Sequence, residues 1–530
     1  MCELLAELIL RSAERSPDAA AVTAGSVTTD YAQLAAAMQS VAGALVGHGV
    51  QRGERIAVWL DKRIEAVVMC FAAAAAGAAF VPINPLLKPA QVGHILRDAG
   101  ACWLLTTPER AALLTQQWAS LPALRGVVLT QAAEQALPLP LPVALWPAFV
   151  DAAPGAGHRV LDSDVAAILY TSGSTGAPKG VTLSHRNLVL GANSVASYLG
   201  NRPDDTLLAV LPLSFDAGFS QLTTAFRVGA RVVLLNHLLP RDVLMAMERE
   251  GVTGLTAVPP LYMQLAALDW PAAVGEKLRY FASTGGRMPR ETLALLRQRV
   301  PKAQPFLMYG LTEAFRSTYL PPEEVDRRPD SIGCAIPGAE VLVLREDGSE
   351  CANDEPGELV HRGPLVALGY WGDAEKTAER FRPLPAGVAG RTGALPLPEI
   401  AVYSGDTVRR DAEGFLYFVG RRDEMIKTSG YRVSPTEIEE IVHASGLVDE
   451  CVAFGVDDAA LGQAIQLLVT ARDGAAPVDT AALQAECRAR LPAYMVPAGI
   501  AAVPGPLPRN PNGKVDRRQL ALSWSARPPG

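Results

Sequence analysis

The 530-residue sequence predicts an α/β protein with covered, largely parallel sheets. Two observations carry that expectation. Short apolar strand patterns alternate with longer segments of helical period. The strands are continuous apolar runs, not in-out alternations, which is the mark of strands covered on both faces. The length allows at least two domains around large cores.

Taken in order, "DYAQLAAAMQSVAGALVGHG" reads as a helix capped by Asp30 and stopped at Gly47 and Gly49. "ERIAVWL" reads as a strand. "AVVMCFAAAAAGAAFVPINP", Ala66–Pro85, approaches the length of a membrane span. It is dominated by alanine and interrupted by Gly77 and Pro82, so its drive into a bilayer is weak. The expectation is a buried helix to about Ala76, then a strand. "PAQVGHILRDAG" is helical and "CWLLTT" extended, while "GVVLT" and "VAAILY" are further strands. Arg382–Glu399, rich in Pro and Gly, reads as an exposed loop, and the final "SWSARPPG" as a frayed tail.

Composition narrows the function. Apolar residues make up 49% and charged residues 19%, as expected of a globular protein. A net charge of -7 argues against non-specific nucleic-acid binding. No basic–apolar–small series marks a signal peptide. Seven scattered cysteines without a CxxC pair suggest reduced thiols in the cytoplasm and no zinc site.

The stretch that carries chemistry is "LYTSGSTGAPKG", Leu169–Gly180. It follows a strand, and Gly173 and Gly176 allow close approach of a ligand to backbone N–H groups. Thr171, Ser172, Ser174 and Thr175 add hydroxyls, and Lys179 adds a cation. Such a loop suits polyphosphate. It is not a Walker A loop, because only Ala177 and Pro178 separate Gly176 from Lys179 and Gly180 follows the lysine.

Four further segments follow downstream: "YGLTEA" (Tyr309–Ala314), "YSGD" (Tyr403–Asp406), "GRRDEMIKTSGYRV" (Gly420–Val433) and "LPRNPNGKVDR" (Leu507–Arg517). In order and spacing the set resembles the signature motifs of the AMP-forming adenylate ligases. That superfamily includes acyl-CoA synthetases, adenylation domains of non-ribosomal peptide synthetases, and luciferases. The resemblance runs from the first helix to about Arg517.

It implies a large N-terminal domain, residues 1–420, and a small mobile α+β domain, residues 421–530. It implies ATP and Mg²⁺, and CoA or a phosphopantetheine thiol as acceptor. By position, Thr171–Lys179 would hold the β- and γ-phosphates. Tyr309 would stack on adenine, with Gly310, Gly285 and Gly286 beside the nucleotide. Thr312 would touch the α-phosphate and Glu313 would bind Mg²⁺. Asp406 would bind ribose next to Arg421, and Asp423 would be the hinge. Lys514 would bridge the carboxylate and the α-phosphate. After the small domain turns, Lys427 and Gly430 would face the site, Gly430 lining the thiol's path.

The chemistry accounts for these residue types. A carboxylate attacks the α-phosphorus of ATP, both partners are anionic, and cations must offset the repulsion. One site then runs a second reaction with a thiol, which is why a hinge is implied.

The sequence also departs from its relatives. Where many acyl-CoA synthetases place a histidine at the mouth of the acyl pocket, Phe215 stands in "LPLSFDAGFSQL". "FDA" is similar to amino-acid-activating domains, so Asp216 is a candidate ammonium ligand. Arg316 and Thr284 would also line the pocket. A buried arginine needs an anion: either a substrate carboxylate meets Arg316, or Arg316 pairs with Asp216 and neither reads substrate. Arg287 is a weaker candidate, expected to face solvent. No carrier attachment sequence follows Arg517, so the acceptor would be CoA or a separate carrier protein. The whole looks most like stand-alone bacterial acyl-CoA ligases of the cytoplasm, and resembles the group associated with exosortase loci. A silent nucleotide-binding scaffold and an oxygenase of the luciferase kind are the rival classes.

Overall fold

The computed structural model describes the chain apart from residues 1–2, 135–138, 156, 172–177, 386, 389–396, 422–423, 429–430, 459–460, 473–476, 492, 511–513 and 526–530, and apart from the side chains of 427, 431, 432, 462, 494 and 525. The chain divides into two compact units: Met1–Val341 with Val360–Tyr403, and Leu342–Leu359 with Ser404–Gly530.

In the first unit, one sheet runs Lys179–Ser184, Val165–Thr171, Ala79–Pro82, Arg55–Trp59, Ala101–Thr106, Gly126–Leu129 and Val143–Leu145. All neighbours from Val165–Thr171 onward are parallel, as the apolar runs require. Val165–Thr171 and Lys179–Ser184 instead form an antiparallel hairpin, in which Thr171 stands opposite Lys179. In a second sheet Gln304–Tyr309, Tyr280–Ser283, Gly254–Ala257, Thr206–Ala209, Arg231–Leu234 and Ala20–Ala24 follow one another in parallel, while Val27–Asp30 and Thr318–Leu320 pair antiparallel on either side of them.

The helices Tyr31–Gly47, Ile64–Ala76 and Asp216–Val228 share one core with these sheets. Asp30 accepts from the Gln33 N–H and caps the first of them. Phe71 stacks on Phe219 at 5.6 Å and meets Phe226 edge-on at 5.3 Å. The alanine-rich stretch is thus a core helix from Ile64 to Ala76 followed by the strand Ala79–Pro82. No described helix is long and apolar enough to cross a membrane.

In the second unit, residues 406–410 of the strand Ile400–Arg410 pair antiparallel with Leu416–Arg421, setting Asp406 opposite Arg421. A further sheet joins Tyr431–Val433, Ile426–Thr428, Gly462–Val469 and Cys451–Asp458 in antiparallel order, with Gly499–Ala502 added in parallel. Ile438 and Val442 of helix Pro435–Ala444 and Leu483 and Cys487 of helix Thr480–Arg490 close its core.

Two local expectations need correcting. Of the predicted frayed tail, residues 523–525 complete the helix Arg517–Ser525 and Trp524 packs edge-on against Phe454, burying an apolar face, while residues 526–530 lie outside the described residues. Within the predicted exposed loop, Phe381–Pro383 pairs as a strand and Leu384 and Val388 are buried.

Candidate active site

The hairpin closes the phosphate loop on a single rung, Thr171 against Lys179. Ser172, Gly173, Ser174, Thr175 and Gly176 lie outside the described residues. The Lys179 ammonium sits 5.4 Å over the ring of Tyr370. Tyr370 donates its hydroxyl to Glu313 Oε1 at 2.6 Å. Glu313 stands on the short turn Thr312–Ala314, and its carbonyl accepts from Ala367 N at 2.8 Å, which draws the Tyr370 segment to the turn. Burial, then the charge and hydrogen bond of Glu313, raise the Tyr370 hydroxyl well above the usual phenol range.

Lys179 is shifted the other way. Its pKa is lowered, first by burial and then by the neighbouring charges of Lys376 and Arg380. Three cations therefore crowd one corner, and at Lys179 the charges of Asp373 and Glu313 oppose them. Such a corner fits a polyphosphate. Among the described residues no group of His, Cys, Asp or Glu could hold a metal by itself. That suits Mg²⁺, which takes one or two carboxylates and completes its shell with phosphate oxygens and water. Glu313 is the carboxylate at hand.

The same turn leads into the pocket. Phe315 has φ 61 and ψ -62, and Arg316 N donates to Ala314 O at 2.7 Å. This is the rare, strained hand of γ-turn. It is held by packing: a Cβ on Gly191 would lie 2.5 Å from the Phe315 ring, and one on Gly310 would lie 2.9 Å from Arg316 Cα. Gly310 thus gives the chain at Arg316 its passage.

The turn sends Arg316, only 3% exposed, against Asp216. Arg316 Nη1 donates to Asp216 Oδ2 at 2.8 Å and to Phe315 O at 3.2 Å. Asp216 begins the helix Asp216–Val228, with Phe215 at its cap, and its other oxygen accepts from Thr312 Oγ1 at 3.5 Å. Of the two outcomes open for this pair, the structure shows the internal ion pair. Arg316 lines a cavity of about 20 Å³, enough for roughly one water, together with Ala217, Ser220, Thr224, Thr256 and Met308. Thr284 is buried, with its N–H donated to Ala257 O at 3.1 Å.

Tyr309 ends the strand Gln304–Tyr309, and its carbonyl accepts from Ser317 N at 3.1 Å. Gly285 has φ +80, and neither it nor Gly286 has backbone atoms crowding its Cα. Arg287, expected to face solvent, is exposed and ion-paired with Asp330.

In the second unit, Arg421 Nε lies 3.5 Å from Asp406 Oδ1. The Asp406 N–H donates to Ser404 Oγ at 3.1 Å. Lys514 is exposed, and its N–H donates to Asn510 Oδ1 at 3.1 Å while Asn510 N donates back to Lys514 O at 2.8 Å. Asn510 thereby closes the loop that presents Lys514. Lys427 lies on the strand Ile426–Thr428, opposite Arg432. The Lys427 side chain, Asp423 and Gly430 fall outside what is described.

Sequence reasoning overlooked Tyr370, Lys376 and Arg380. The signal was present in "GYWGDAEKTAER", an aromatic beside glycine followed by a helix with two cations on it.

Comparison with known proteins agrees with this geometry. Residues 9–371 match the AMP-binding enzyme family and residues 437–514 its AMP-binding enzyme C-terminal domain. The chain belongs to the AMP-binding enzyme family. It is 34% identical over 528 residues to an L-proline–[L-prolyl-carrier protein] ligase of Streptomyces coelicolor, covering 95% of this chain and 94% of the relative. It is 31% identical to a feruloyl-CoA synthase of Amycolatopsis, over 96% of each chain. ATP-bound MatB from Rhodopseudomonas palustris superposes with a TM-score of 0.85 at 26% identity, covering 98% of this chain and 99% of that one. The fold is that of adenylate-forming enzymes, and the protein is an AMP-forming ligase that uses ATP, Mg²⁺ and a thiol acceptor.

Proposed function

We propose that this chain adenylates a small carboxylic acid and transfers the acyl group to CoA or to the phosphopantetheine thiol of a separate carrier protein, in the cytoplasm. The observation that supports it is the turn Thr312–Arg316, which carries Glu313 to the cationic corner and Arg316 to the cavity. Phosphate and acid sites thus share one short segment.

In this reading Thr171–Lys179 hold the β- and γ-phosphates, with Lys376 and Arg380 adding charge. Glu313 takes Mg²⁺, oriented by the Tyr370 hydroxyl. Thr312 meets the α-phosphate, and Tyr309, Gly310, Gly285 and Gly286 border the adenine. Asp406 and Arg421 serve the ribose. Bound Mg·ATP supplies the electrophilic α-phosphorus and the pyrophosphate leaving group. Lys514 offsets the charge of the attacking carboxylate. Residues 421–530 turn about Asp423 so that Lys427 and Gly430 replace Lys514 for thioester formation. Phe215, Asp216, Thr284 and Arg316 shape the acid's pocket.

Lys514→Ala separates the half-reactions. Pyrophosphate exchange should fall by roughly 10²–10³, the scale of losing one transition-state donor, while thioester formation from supplied acyl-AMP survives. Equal loss of both would overturn the role of Lys514.

The amino-acid-loading reading draws support from the likeness to the prolyl-carrier protein ligase. The Asp216–Arg316 pair speaks against it, since the carboxylate that would take an ammonium already holds a guanidinium.

A further inference from the structure

The cavity behind the γ-turn has an unusual charge balance. Arg316 is the charged residue in its lining. Its positive charge is matched by Asp216 at 2.8 Å, so the pair is neutral overall. Gln221, Ser220, Thr224 and Tyr280 are already bonded to protein. Gln221 donates to Leu208 O at 2.9 Å and accepts from Leu211 N at 3.3 Å. Ser220 and Thr224 share a hydrogen bond of 3.4 Å. The Arg316 Nε–H is also there, buried and without a hydrogen-bond partner among the described residues.

We infer that the acid activated here is short and uncharged away from its reacting carboxylate, and that it carries one oxygen acceptor, a carbonyl or hydroxyl, read by Arg316 Nε. This rests on the adenylation reading above.

Charge balance excludes the alternatives. A second carboxylate would leave the buried site net negative, and an α-ammonium would leave it net positive. An unmatched charge in a buried site is costly. An unadorned alkyl chain satisfies the balance but leaves the Nε donor unmade, and that too carries a cost. An uncharged oxygen meets both conditions. The small cavity, with room for roughly one water, limits what the acid can place beside Arg316 to a single small group. The guanidinium is held by the bonds of Nη1 to Asp216 Oδ2 at 2.8 Å and to Phe315 O at 3.2 Å, which fixes the donor in place.

The test is ATP–pyrophosphate exchange by the full chain on acids matched in length: pentanoate, 4-oxopentanoate, 4-hydroxybutyrate, succinate, 4-aminobutyrate and proline. The oxo or hydroxy acid should exceed pentanoate in kcat/KM by roughly tenfold to hundredfold, the range for a hydrogen bond to a charged donor. Succinate and both amino acids should fall below pentanoate. Exchange led by succinate, 4-aminobutyrate or proline overturns the inference and leaves the ligase reading standing. Exchange with none of them overturns the small-acid reading itself.

A double variant, Arg316→Met with Asp216→Leu, keeps the site neutral and filled. It should bring the ratio of 4-oxopentanoate to pentanoate close to one, whatever the overall rate of exchange. An unchanged ratio overturns the role of Nε. If the double variant does not fold, the wild-type panel decides alone.

Discussion

Two arginines, one in each unit, are held in different ways. Arg517 lies under the helix that it begins and spends all three of its nitrogens. Nε donates to Ala453 O at 2.9 Å, Nη2 to both oxygens of Glu439 at 2.8 and 2.9 Å, and Nη1 to Glu424. Arg316 spends one nitrogen on Asp216 and Phe315 O, keeps Nε in reserve, and borders a cavity. The contrast separates an anchor from a reader. A saturated guanidinium with nowhere for a ligand to enter holds structure, here tying the segment after Lys514 to Glu424 and to helix Pro435–Ala444. A guanidinium with a spare donor facing open space can report on what enters.

The comparison breaks most visibly at Arg517. Arg517→Met leaves Glu424 and Glu439 facing each other without a cation. It should cost about 3–5 kcal/mol, the range for breaking a buried ion pair, read from chemical unfolding. Both half-reactions should decline together, unlike the split expected of Lys514→Ala. Unfolding at the wild-type midpoint would remove Arg517 from the role of anchor.

A smaller effect comes from protons. Burial pushes His361, which faces Ser317 Oγ at 3.0 Å beside Arg316, down to about 4. His185 is likewise pushed down to about 4 by burial. Unfolded, both take a proton near pH 6.5; folded, both stay neutral. The unfolded state therefore binds more protons between pH 6.5 and 4, and stability falls as the pH drops through that window, by up to about 3 kcal/mol per histidine. Thermal melting from pH 7 to 4.5 should show the decline, and His361→Gln should flatten part of it. An identical slope in the variant would assign the acid sensitivity elsewhere.

The smallest change sharpens the reader. Gly191→Ala pushes a methyl into the Phe315 ring, a contact of 2.5 Å. Overpacking of this kind costs about 1–3 kcal/mol. Because Phe315 aims Arg316, discrimination between 4-oxopentanoate and pentanoate should weaken by more than the stability loss alone produces. A stability loss with intact discrimination would show that the turn can shift without moving the guanidinium.

Much of this was legible in the sequence, for local reasons. Asp30 signals a cap through its own side chain, and the helix and strand within Ala66–Pro85 are written in its alanines and in Gly77. Lys179, Glu313 and Asp406 are named as what the resemblance of their segments to the family's motifs implies. What escaped depends on distant segments meeting. Tyr370 matters because Ala367 reaches the carbonyl of Glu313. The sequence left two partners open for Arg316, and the choice of Asp216 depends on a backbone conformation at Phe315 that no residue preference foretells. Trp524 reads as part of a frayed tail, and its partner Phe454 lies about seventy residues earlier.

The ion pair in the pocket also constrains how such a protein could change its diet. Asp216 and Arg316 sit a hundred residues apart in sequence but balance each other's charge. A single replacement at either position leaves the survivor buried and unmatched, so most one-step routes pass through a poorly folding intermediate. A replacement that brings its opposite with it leaves the strained turn, the helix start and the phosphate corner in place. Laboratory evolution of this scaffold should therefore advance in paired steps at 216 and 316, with residue 315 the one to leave alone.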